Sequence, residues 1–235
     1  MHLDHRLSEV AALVPRHAKV ADVGTDHAYL AMALIESCGA AVVIATDKNE
    51  GPCAAARHTL LTAGLLERVP VRCGDGLAPL AAGEVDTICI AGMGGGLIAS
   101  ILAAGENVLA GVSLLVLQPM NDAAILRRWL YENGWRIVEE RLAVEDGRLY
   151  EIMAAKPGTE ETPEPWLLTL GPVLWKKRPP LFRCHAKAQM ARLRRILHGM
   201  EQSIVARESE AYREAAAELL AMERHCGDGE EQISW

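Results

Sequence analysis

The stretch KVADVGTDHAYLAMALIES, residues 19–37, begins with the pattern of a buried strand and ends with the pattern of a helix. Residues 19–23 run apolar into Gly24, whereas Leu30, Ala33 and Leu34 recur at helical spacing. Small or polar residues, 24–27, stand at the corner between strand and helix. In open α/β sheets, ligands bind at such corners, so this stretch predicts a fold class and a binding site together.

The chain around this corner alternates strand and helix patterns. Further strand patterns lie at 42–46, 69–73, 85–90 and 113–118, with helical patterns between them. This alternation predicts an α/β fold with a doubly wound, mostly parallel sheet. Residues 135–158 then show two strand-like runs separated by Glu145-Asp146-Gly147, which is a hairpin signal. A parallel sheet that ends in an antiparallel hairpin is typical of the Rossmann-like methyltransferase fold.

Composition shifts predict four segments. We expect a methyltransferase domain at 1–157 and a linker that packs on the domain at 158–180, where prolines are frequent. Residues 181–226 show two apolar stripes at helical spacing with a break near Ser203, which predicts an antiparallel helical hairpin or coiled coil. Residues 227–235 are expected to form a flexible tail.

Charge and cysteine content limit the class of protein. The net charge is −7, yet residues 176–207 carry nine Lys or Arg against one acidic residue. No apolar run is long enough to cross a bilayer, and the N-terminus is too charged for a signal peptide. The six cysteines are far apart without CxxC spacing, so we expect them to be reduced, no metal site, and a cytoplasmic location.

The corner lacks the glycines that a pyrophosphate-containing cofactor requires, since only Gly24 is present. S-adenosyl-L-methionine (SAM) has no phosphate and needs an acceptor for its ammonium, a close-approach glycine and a helix start near its carboxylate. Asp22, Gly24 and the helix start near Asp26 and His27 meet these needs. The alternative interpretation is an ordinary capped corner with Asp26 as the helix N-cap.

Two further carboxylates favour SAM over that alternative. Asp47 ends the second strand, 23 residues after Gly24, where an acidic residue binds ribose hydroxyls in this fold. Asp75 follows the third strand and is placed to bind the adenine amino group, while Gly76 leaves room for the ring. The carboxyl ends of the strands bring these residues to one crevice.

The loops after the fourth and fifth strands complete the predicted crevice. Four glycines in IAGMGGGLI, residues 90–98, remove side chains near the place where the methyl group would emerge. The stretch LQPM, residues 117–120, forms the facing wall, with Gln118 placed to hydrogen-bond a base edge and Pro119 or Met120 to pack on it. A Met here is more often a core residue.

In this order along the chain, DVGTDHAYL, NEGP, GDGL, IAGMGG, LQP, RRWLYENGW and YEI resemble the bacterial tRNA (adenine-N1)-methyltransferases that act on adenine 22 of tRNA. The resemblance runs from about Arg6 to the Gly171-Pro172 turn and implies SAM as donor, S-adenosyl-L-homocysteine as product, and no metal. It also implies that tRNA is the partner and that the helical tail binds it. Three positions depart from the family pattern: Thr25, Ala31 and Met120.

The resulting predictions assign each site residue to a role. Asp26 and Tyr29 are predicted to act in catalysis. The predicted donor-binding residues are Asp22, Gly24, Thr25, His27, Asp47, Lys48, Asp75, Gly76, Ala91 and Gly92. The predicted tRNA-binding residues are Arg6, Met93, Gln118, Pro119, Met120, Lys176, Lys177, Arg178, Arg183, Lys187, Arg192, Arg194 and Arg195.

The expected reaction is direct displacement, because the N1 lone pair of neutral adenine attacks without prior deprotonation. The enzyme then needs alignment, and Asp26 is placed to favour the growing positive charge. The alternatives are methylation of another RNA or a small molecule, an RNA-binding protein without catalysis, and an NAD-dependent oxidoreductase. The missing glycines and the terminal hairpin disfavour the last. A monomer or a weak dimer is expected, with no membrane partner.

Overall fold

The computed structural model describes residues 3–226, and its central feature is a seven-stranded sheet of order β3-β2-β1-β4-β5-β7-β6. The five strands β1 to β5 are parallel, and β7 runs antiparallel to both β5 and β6. The predicted parallel sheet with a terminal antiparallel hairpin is therefore confirmed. The strands are β1 (Lys19–Val23), β2 (Val42–Asp47), β3 (Val71–Cys73), β4 (Thr87–Met93), β5 (Leu114–Pro119), β6 (Trp135–Glu145) and β7 (Arg148–Pro157).

Helices connect the parallel strands, and their apolar faces cover the sheet. The interior strand β5 is buried along its whole length, as expected for a strand covered on both faces. The helices of this part are α1 (His5–Ala11), α2 (Tyr29–Glu36), α3 (Glu50–Thr62), α4 (Gly95–Ala103), α5 (Glu106–Leu109) and α6 (Ala123–Glu132).

The strand order reverses at β1, which lies between β2 and β4. The register aligns Val23 with Thr46 on one side and with Ile90 on the other. The residues that follow these positions therefore emerge at the same edge of the sheet. A reversal of strand order opens a crevice at the carboxyl ends of the strands, where ligands of this fold bind.

The hairpin β6–β7 is fixed by its turn and by a buried ion cluster. Asp146 and Gly147 both have positive φ, 48° and 72°, as a two-residue type I′ turn requires. The fully buried Arg127 of α6 donates to Glu140 at 2.7 Å and to Glu151 at 2.5 Å, one on each strand. Removing either partner from such a cluster leaves a buried charge uncompensated.

The chain divides after Thr162 into an N-terminal unit, Met1–Thr162, and a C-terminal unit, Pro163–Trp235. In the C-terminal unit, Arg194 pairs with Glu223 at 2.7 Å and the Tyr212 hydroxyl donates to Glu201 at 3.3 Å. These pairings show that α9 and α11 are antiparallel. The helices of this unit are α7 (Pro165–Leu170), α8 (Pro172–Lys177), α9 (Phe182–Met200), α10 (Ile204–Arg207) and α11 (Glu210–Cys226).

The predicted break near Ser203 is confirmed, because the Ser203 side chain caps α10 by accepting from the Ala206 N–H. The antiparallel helical hairpin is confirmed as well, whereas a coiled coil stays a prediction. The tail predicted at 227–235 lies outside the described residues.

The predicted linker at 158–180 differs from what the structure shows. Residues from Pro163 onward group with the C-terminal unit, and most of 165–177 is helical. The physical reason lies in the prolines: Pro165 and Pro172 stand in the first turns of α7 and α8, where a missing N–H costs nothing. Prolines that were interpreted as the sign of a linker therefore begin helices.

The prediction that all six cysteines are reduced is wrong for Cys53 and Cys73, which form a disulfide with Cα atoms 6.2 Å apart. Cys53 lies on α3 and Cys73 at the end of β3, so the crossover from helix to strand brings them together. A spacing of 20 residues carries no signal of this pairing in the sequence.

Candidate functional site

A pocket of about 850 Å³ opens at the carboxyl ends of β1 to β4, within the N-terminal unit. Its volume lies in the range of small-molecule sites, roughly 300–1,000 Å³. All ten residues predicted to bind the donor line it: Asp22, Gly24, Thr25, His27, Asp47, Lys48, Asp75, Gly76, Ala91 and Gly92. Asp26, Tyr29, Arg6, Met93 and Met120 line it too, whereas Gln118 and Pro119 are buried behind its surface.

The corner between β1 and α2 has an unusual backbone. Asp26 and Ala28 both have positive φ, 50° and 60°. Non-glycine residues seldom adopt this conformation, and it concentrates at functional sites. Gly24 and Thr25 donate their N–H groups to the Thr46 carbonyl at 2.8 and 2.9 Å, which ties the corner to the end of β2.

Asp26 does not cap the helix, so the alternative interpretation of this corner is wrong. α2 begins at Tyr29, and its N-cap position is Ala28, which has no side-chain cap. The Asp26 side chain is 71 % exposed, and the neighbouring His27 is 51 % exposed. The His27 ring stacks on Tyr29 with ring centroids 5.6 Å apart. These three residues present a carboxylate and two rings to the pocket.

Asp22 is buried at the floor of the pocket and accepts a 2.6 Å hydrogen bond from the Thr25 hydroxyl. Burial raises the pKa of the Asp22 carboxyl to about 6, with a smaller contribution in the same direction from Asp47. A carboxylate in this state gains from a cationic partner, which matches the predicted role in holding an ammonium group.

Asp47 is oriented by two backbone N–H groups. Its Oδ1 accepts from Asn49 at 3.0 Å, and its Oδ2 accepts from Asp26 at 3.4 Å. A carboxylate has about four lone-pair sites, so both oxygens keep acceptor capacity for the hydroxyls of a ribose. Next to it, the Thr46 hydroxyl is buried without a hydrogen-bond partner among residues 3–226.

Asp75 and Lys48 form an ion pair of 2.8 Å at the ends of β3 and β2, and both side chains are mostly exposed. The two residues lie at the adenine end predicted for the donor. Gly76, with φ of 53°, follows Asp75, and a side chain there would press on Ile101. Glycine therefore keeps this end of the pocket open.

Two glycines have different functions in the structure. Gly24 has φ of 77°, a conformation that strains any other residue, and a Cβ there would also displace the Met93 methyl group from this point of the wall. Gly95, by contrast, is buried at the start of α4, where a Cβ would overlap the Asp122 carbonyl. Only the first of these glycines lines the pocket; the second permits packing of α4 against the segment before α6.

Gln118 is fully buried at the end of β5, and its amide bonds within the protein. Its Oε1 accepts from Arg6 Nη1 at 2.6 Å and from the Gly92 N–H at 3.1 Å, while its Nε2 donates to the Pro119 carbonyl at 2.8 Å. The direct contact with a base that was predicted for Gln118 is therefore not the arrangement in this structure, because both ends of the amide are already engaged.

Several pocket residues have no counterpart among the predicted site residues. Leu97 on α4 is 55 % exposed and lines the pocket with Tyr29 and Met120, each 44 % exposed, which gives the mouth an apolar rim. Tyr150 on β7 lies under the Arg6 guanidinium, 5.8 Å from the ring centroid. The motif YEI contains Tyr150, and it was the only sequence signal for this position.

The lining is strongly acidic. Among the described residues that line the pocket, the basic ones are Arg6 and Lys48. The acidic ones are Asp4, Asp22, Asp26, Asp47, Asp75, Glu145 and Asp146. A pocket of this charge favours a cationic ligand and disfavours phosphate.

Apart from Arg6, the basic residues predicted to contact tRNA are exposed in the C-terminal unit. Arg194 pairs with Glu223, and Arg178 stacks 3.6 Å above the Trp175 ring centroid, so both also have structural contacts. Lys176, Arg183, Lys187 and Arg195 are exposed on α8 and α9. This cluster is separate in sequence from the acidic pocket.

Within residues 3–226, no group of three or more His, Cys, Asp or Glu side chains is arranged to hold a metal ion. In the same range, every helix is either too short or too polar to cross a bilayer.

Comparison with known proteins gives a consistent family. The Methyltransferase domain family matches residues 3–153. The tRNA (adenine(22)-N1)-methyltransferase of Bacillus subtilis is 37 % identical over 187 residues, which is 77 % of this chain and 79 % of that protein.

Solved structures agree with this relationship. The crystal structure of the B. subtilis m1A22 tRNA methyltransferase has a TM-score of 0.81 at 31 % identity, covering 97 % of this chain and 98 % of that one. A Streptococcus pneumoniae protein in complex with SAM has a TM-score of 0.84 at 33 % identity, covering 96 % of this chain and all of that one. The similarity therefore extends over both units.

Proposed function

This chain belongs to the tRNA (adenine(22)-N1)-methyltransferases, and we propose that its pocket binds SAM and that it transfers the donor's methyl group to N1 of adenine 22 in tRNA. The observation that carries the proposal is the acidic pocket at the carboxyl ends of β1, β2 and β3, where Asp22, Asp47 and Asp75 follow one another along the sheet edge. SAM carries a sulfonium and an ammonium against a single carboxylate, so its net charge suits this lining.

The donor fits these residues group by group. Asp22 takes the ammonium, because it is a buried carboxylate that gains from a cation. Asp47 takes the ribose hydroxyls with the acceptor capacity left by its two backbone contacts. Asp75 takes the adenine amino group, and Gly76 admits the ring.

The donor supplies an electrophilic methyl group, and the residues around it align the target. Adenine N1 attacks with its lone pair, the bond between sulfur and methyl breaks, and the base becomes cationic. Asp26 is exposed to the pocket and stabilises that charge in the transition state. Tyr29, with Leu97 and Met120, packs on the target ring at the apolar rim.

A base of folded tRNA must leave its stack to enter the pocket, which costs a few kcal/mol. The acidic lining repels phosphates, so residues outside the pocket must bind the tRNA backbone. The exposed basic residues of α8 and α9 bind the backbone through contacts with its phosphates. A tRNA substrate also places the enzyme's work in the cytoplasm. The oligomeric state that we propose is a monomer or a weak dimer.

The deciding experiment is methylation of unmodified tRNA. The purified protein is incubated with SAM and a tRNA transcript that has adenine at position 22, and the product is digested to nucleosides and mapped by mass spectrometry. We expect 1-methyladenosine at position 22 and none in a transcript with guanine there. Methylation at another position, or of both transcripts equally, would refute the proposed target.

A further inference from the structure

Gln118 is a polar side chain in a fully buried position, which requires a structural or functional reason. Its amide oxygen holds two donors at once, Arg6 Nη1 at 2.6 Å and the Gly92 N–H at 3.1 Å. Its amide nitrogen donates to the Pro119 carbonyl at 2.8 Å and lies 3.8 Å from Met120 Sδ. Gln118 therefore joins α1 to the end of strand β4, directly behind the pocket wall.

Arg6 is held in place from several sides. Its guanidinium donates to Gln118, contacts Asp4 Oδ2 at 3.2 Å and lies over the Tyr150 ring. The side chain is only 18 % exposed and lines the pocket. A guanidinium has five N–H donors, and the hydrogen bonds to Gln118 and Asp4 are the ones it makes to residues within 3–226. The guanidinium lines the pocket, so its remaining donors are placed to bind an acceptor of a ligand there.

The position of Arg6 in the pocket indicates which group of a ligand it would bind. Of the two basic residues in the described lining, Lys48 is engaged by Asp75 at the adenine end of the pocket. Arg6 lies at the opposite end, where its Nη1 comes within 3.8 Å of the Cβ position of Gly92. This end contains Gly24, Met93 and Asp22, the residue proposed to bind the ammonium. The carboxylate of the donor lies on the same carbon as that ammonium.

We infer that Arg6 binds the carboxylate of SAM and that Gln118 is the positioning residue that holds Arg6 for this purpose. The inference rests on the proposed function and moves both residues from the tRNA contacts predicted from sequence to the donor site. It explains why a neutral amide stands at position 118. Arg6 already contacts the carboxylate of Asp4, and a glutamate at 118 would add a second carboxylate that repels the incoming one. Glutamine orients Arg6 without adding this negative charge.

Calorimetric titration with three ligands tests the inference without relying on activity. The ligands are SAM, decarboxylated SAM, and 5′-methylthioadenosine, which lacks the whole amino-acid portion. The wild-type protein is expected to prefer SAM over decarboxylated SAM by about tenfold or more, as for a charge-assisted hydrogen bond. Arg6→Gln is expected to abolish this preference. The affinity for 5′-methylthioadenosine should not change.

The variants of Gln118 separate positioning from packing. Gln118→Glu keeps the shape of the side chain and should reduce the preference for SAM, and Gln118→Leu should reduce it as well. The double variant Arg6→Gln/Gln118→Leu should show no further loss of preference relative to Arg6→Gln. Arg68→Gln, an exposed arginine outside the pocket, serves as the matched control.

Three outcomes would overturn the inference. An equal loss of affinity for all three ligands would assign Gln118 to structural packing alone. Variants that keep the preference for SAM but raise the KM for tRNA would indicate that Arg6 contacts tRNA, as the sequence predicted. A wild-type protein that binds SAM and decarboxylated SAM equally would remove the carboxylate contact. Failure of the proposed function is distinguishable from all three, because it would appear as an absence of SAM binding or of methylation by the wild-type protein.

Discussion

The backbone N–H of Asp26 points at the carboxylate of Asp47, with a distance of 3.4 Å to Oδ2. This contact joins the loop that presents the proposed catalytic carboxylate to the residue proposed to bind the donor's ribose. Asp26 itself has a positive φ of 50°, and the contact links this unusual corner to the end of β2. Binding of the donor and presentation of Asp26 to the target base are thus linked through the backbone, while the two side chains keep separate tasks.

Asp26→Asn should lower kcat much more than it lowers affinity for SAM. Asparagine tolerates positive φ, so the corner keeps its shape while the charge that stabilises the cationic base is lost. Loss of one preorganised electrostatic contact predicts a decrease of about 10²-fold in kcat. Single-turnover kinetics measure the first effect and calorimetry with SAM the second.

Asp47→Asn is the counterpart of that variant. It should raise the Kd for SAM and leave kcat at saturating SAM within a few-fold of the wild type. Equal losses of kcat and SAM affinity in Asp26→Asn would contradict the separation of tasks.

The affinity for SAM should rise with pH through about 6. Burial raises the pKa of the Asp22 carboxyl to about 6, and only the ionised form binds the donor's ammonium. Below this pKa the affinity should therefore fall by up to about tenfold per pH unit. Asp22→Asn should weaken binding and flatten this dependence between pH 5 and 7, which calorimetry at a series of pH values would detect.

The raised pKa of Asp22 affects folding stability in the opposite direction: a higher pH favours SAM binding but lowers the contribution of Asp22 to stability. The ordinary pKa of an aspartate, 3.8, applies to the unfolded chain, and folding raises the pKa of Asp22 to about 6. Between these two pH values the folded state therefore binds more protons than the unfolded state. The contribution of Asp22 to the free energy of unfolding therefore decreases as pH rises through this window, by about 3 kcal/mol at most. A Tm profile without ligand that has the same slope for the wild type and Asp22→Asn over this window would show that Asp22 is not the group responsible.

Neutralising Lys176, Arg183, Lys187 and Arg195 together should weaken tRNA binding without changing the affinity for SAM. Each lost phosphate contact lowers the slope of log K against log salt by about 1, so the four predict a reduction of up to about 4. Filter binding at several salt concentrations measures this slope. The matched control neutralises four exposed arginines of the N-terminal unit that lie outside the pocket: Arg16, Arg68, Arg128 and Arg136. An equal decrease of the slope in the control would show that the four residues act only through the net charge of the protein and not through direct phosphate contacts.

Gly95→Ala and Gly96→Ala should have opposite effects on stability, although both lie in the first turn of α4. A Cβ at Gly95 would overlap the Asp122 carbonyl, so the substitution should cost about 1–3 kcal/mol. A Cβ at Gly96 meets open space, so alanine should stabilise the helix by up to about 1 kcal/mol. Thermal unfolding followed by circular dichroism distinguishes the two, and a neutral Gly95→Ala would contradict the packing interpretation.

The amino-acid sequence alone determined the sheet, its terminal hairpin and about half of the residues that line the pocket, because these follow from local patterns. Strand and helix periods are read within short windows, and Asp22, Asp47 and Asp75 each stand in or directly after a strand, where the fold itself converts sequence position into proximity. The type I′ turn at Asp146-Gly147 is equally local.

Only the tertiary structure decided the contacts between residues distant in sequence. The pairing of Arg6 with Gln118 spans 112 residues, and the Cys53–Cys73 disulfide and the Arg127 cluster likewise depend on how crossovers place one element against another. The prolines at 165 and 172 begin helices because their neighbours pack into the C-terminal unit, which no local pattern records. Side-chain partners are set by three-dimensional proximity, and for this reason the sequence predicted where the pocket lies while the structure decided which atoms are free to act in it.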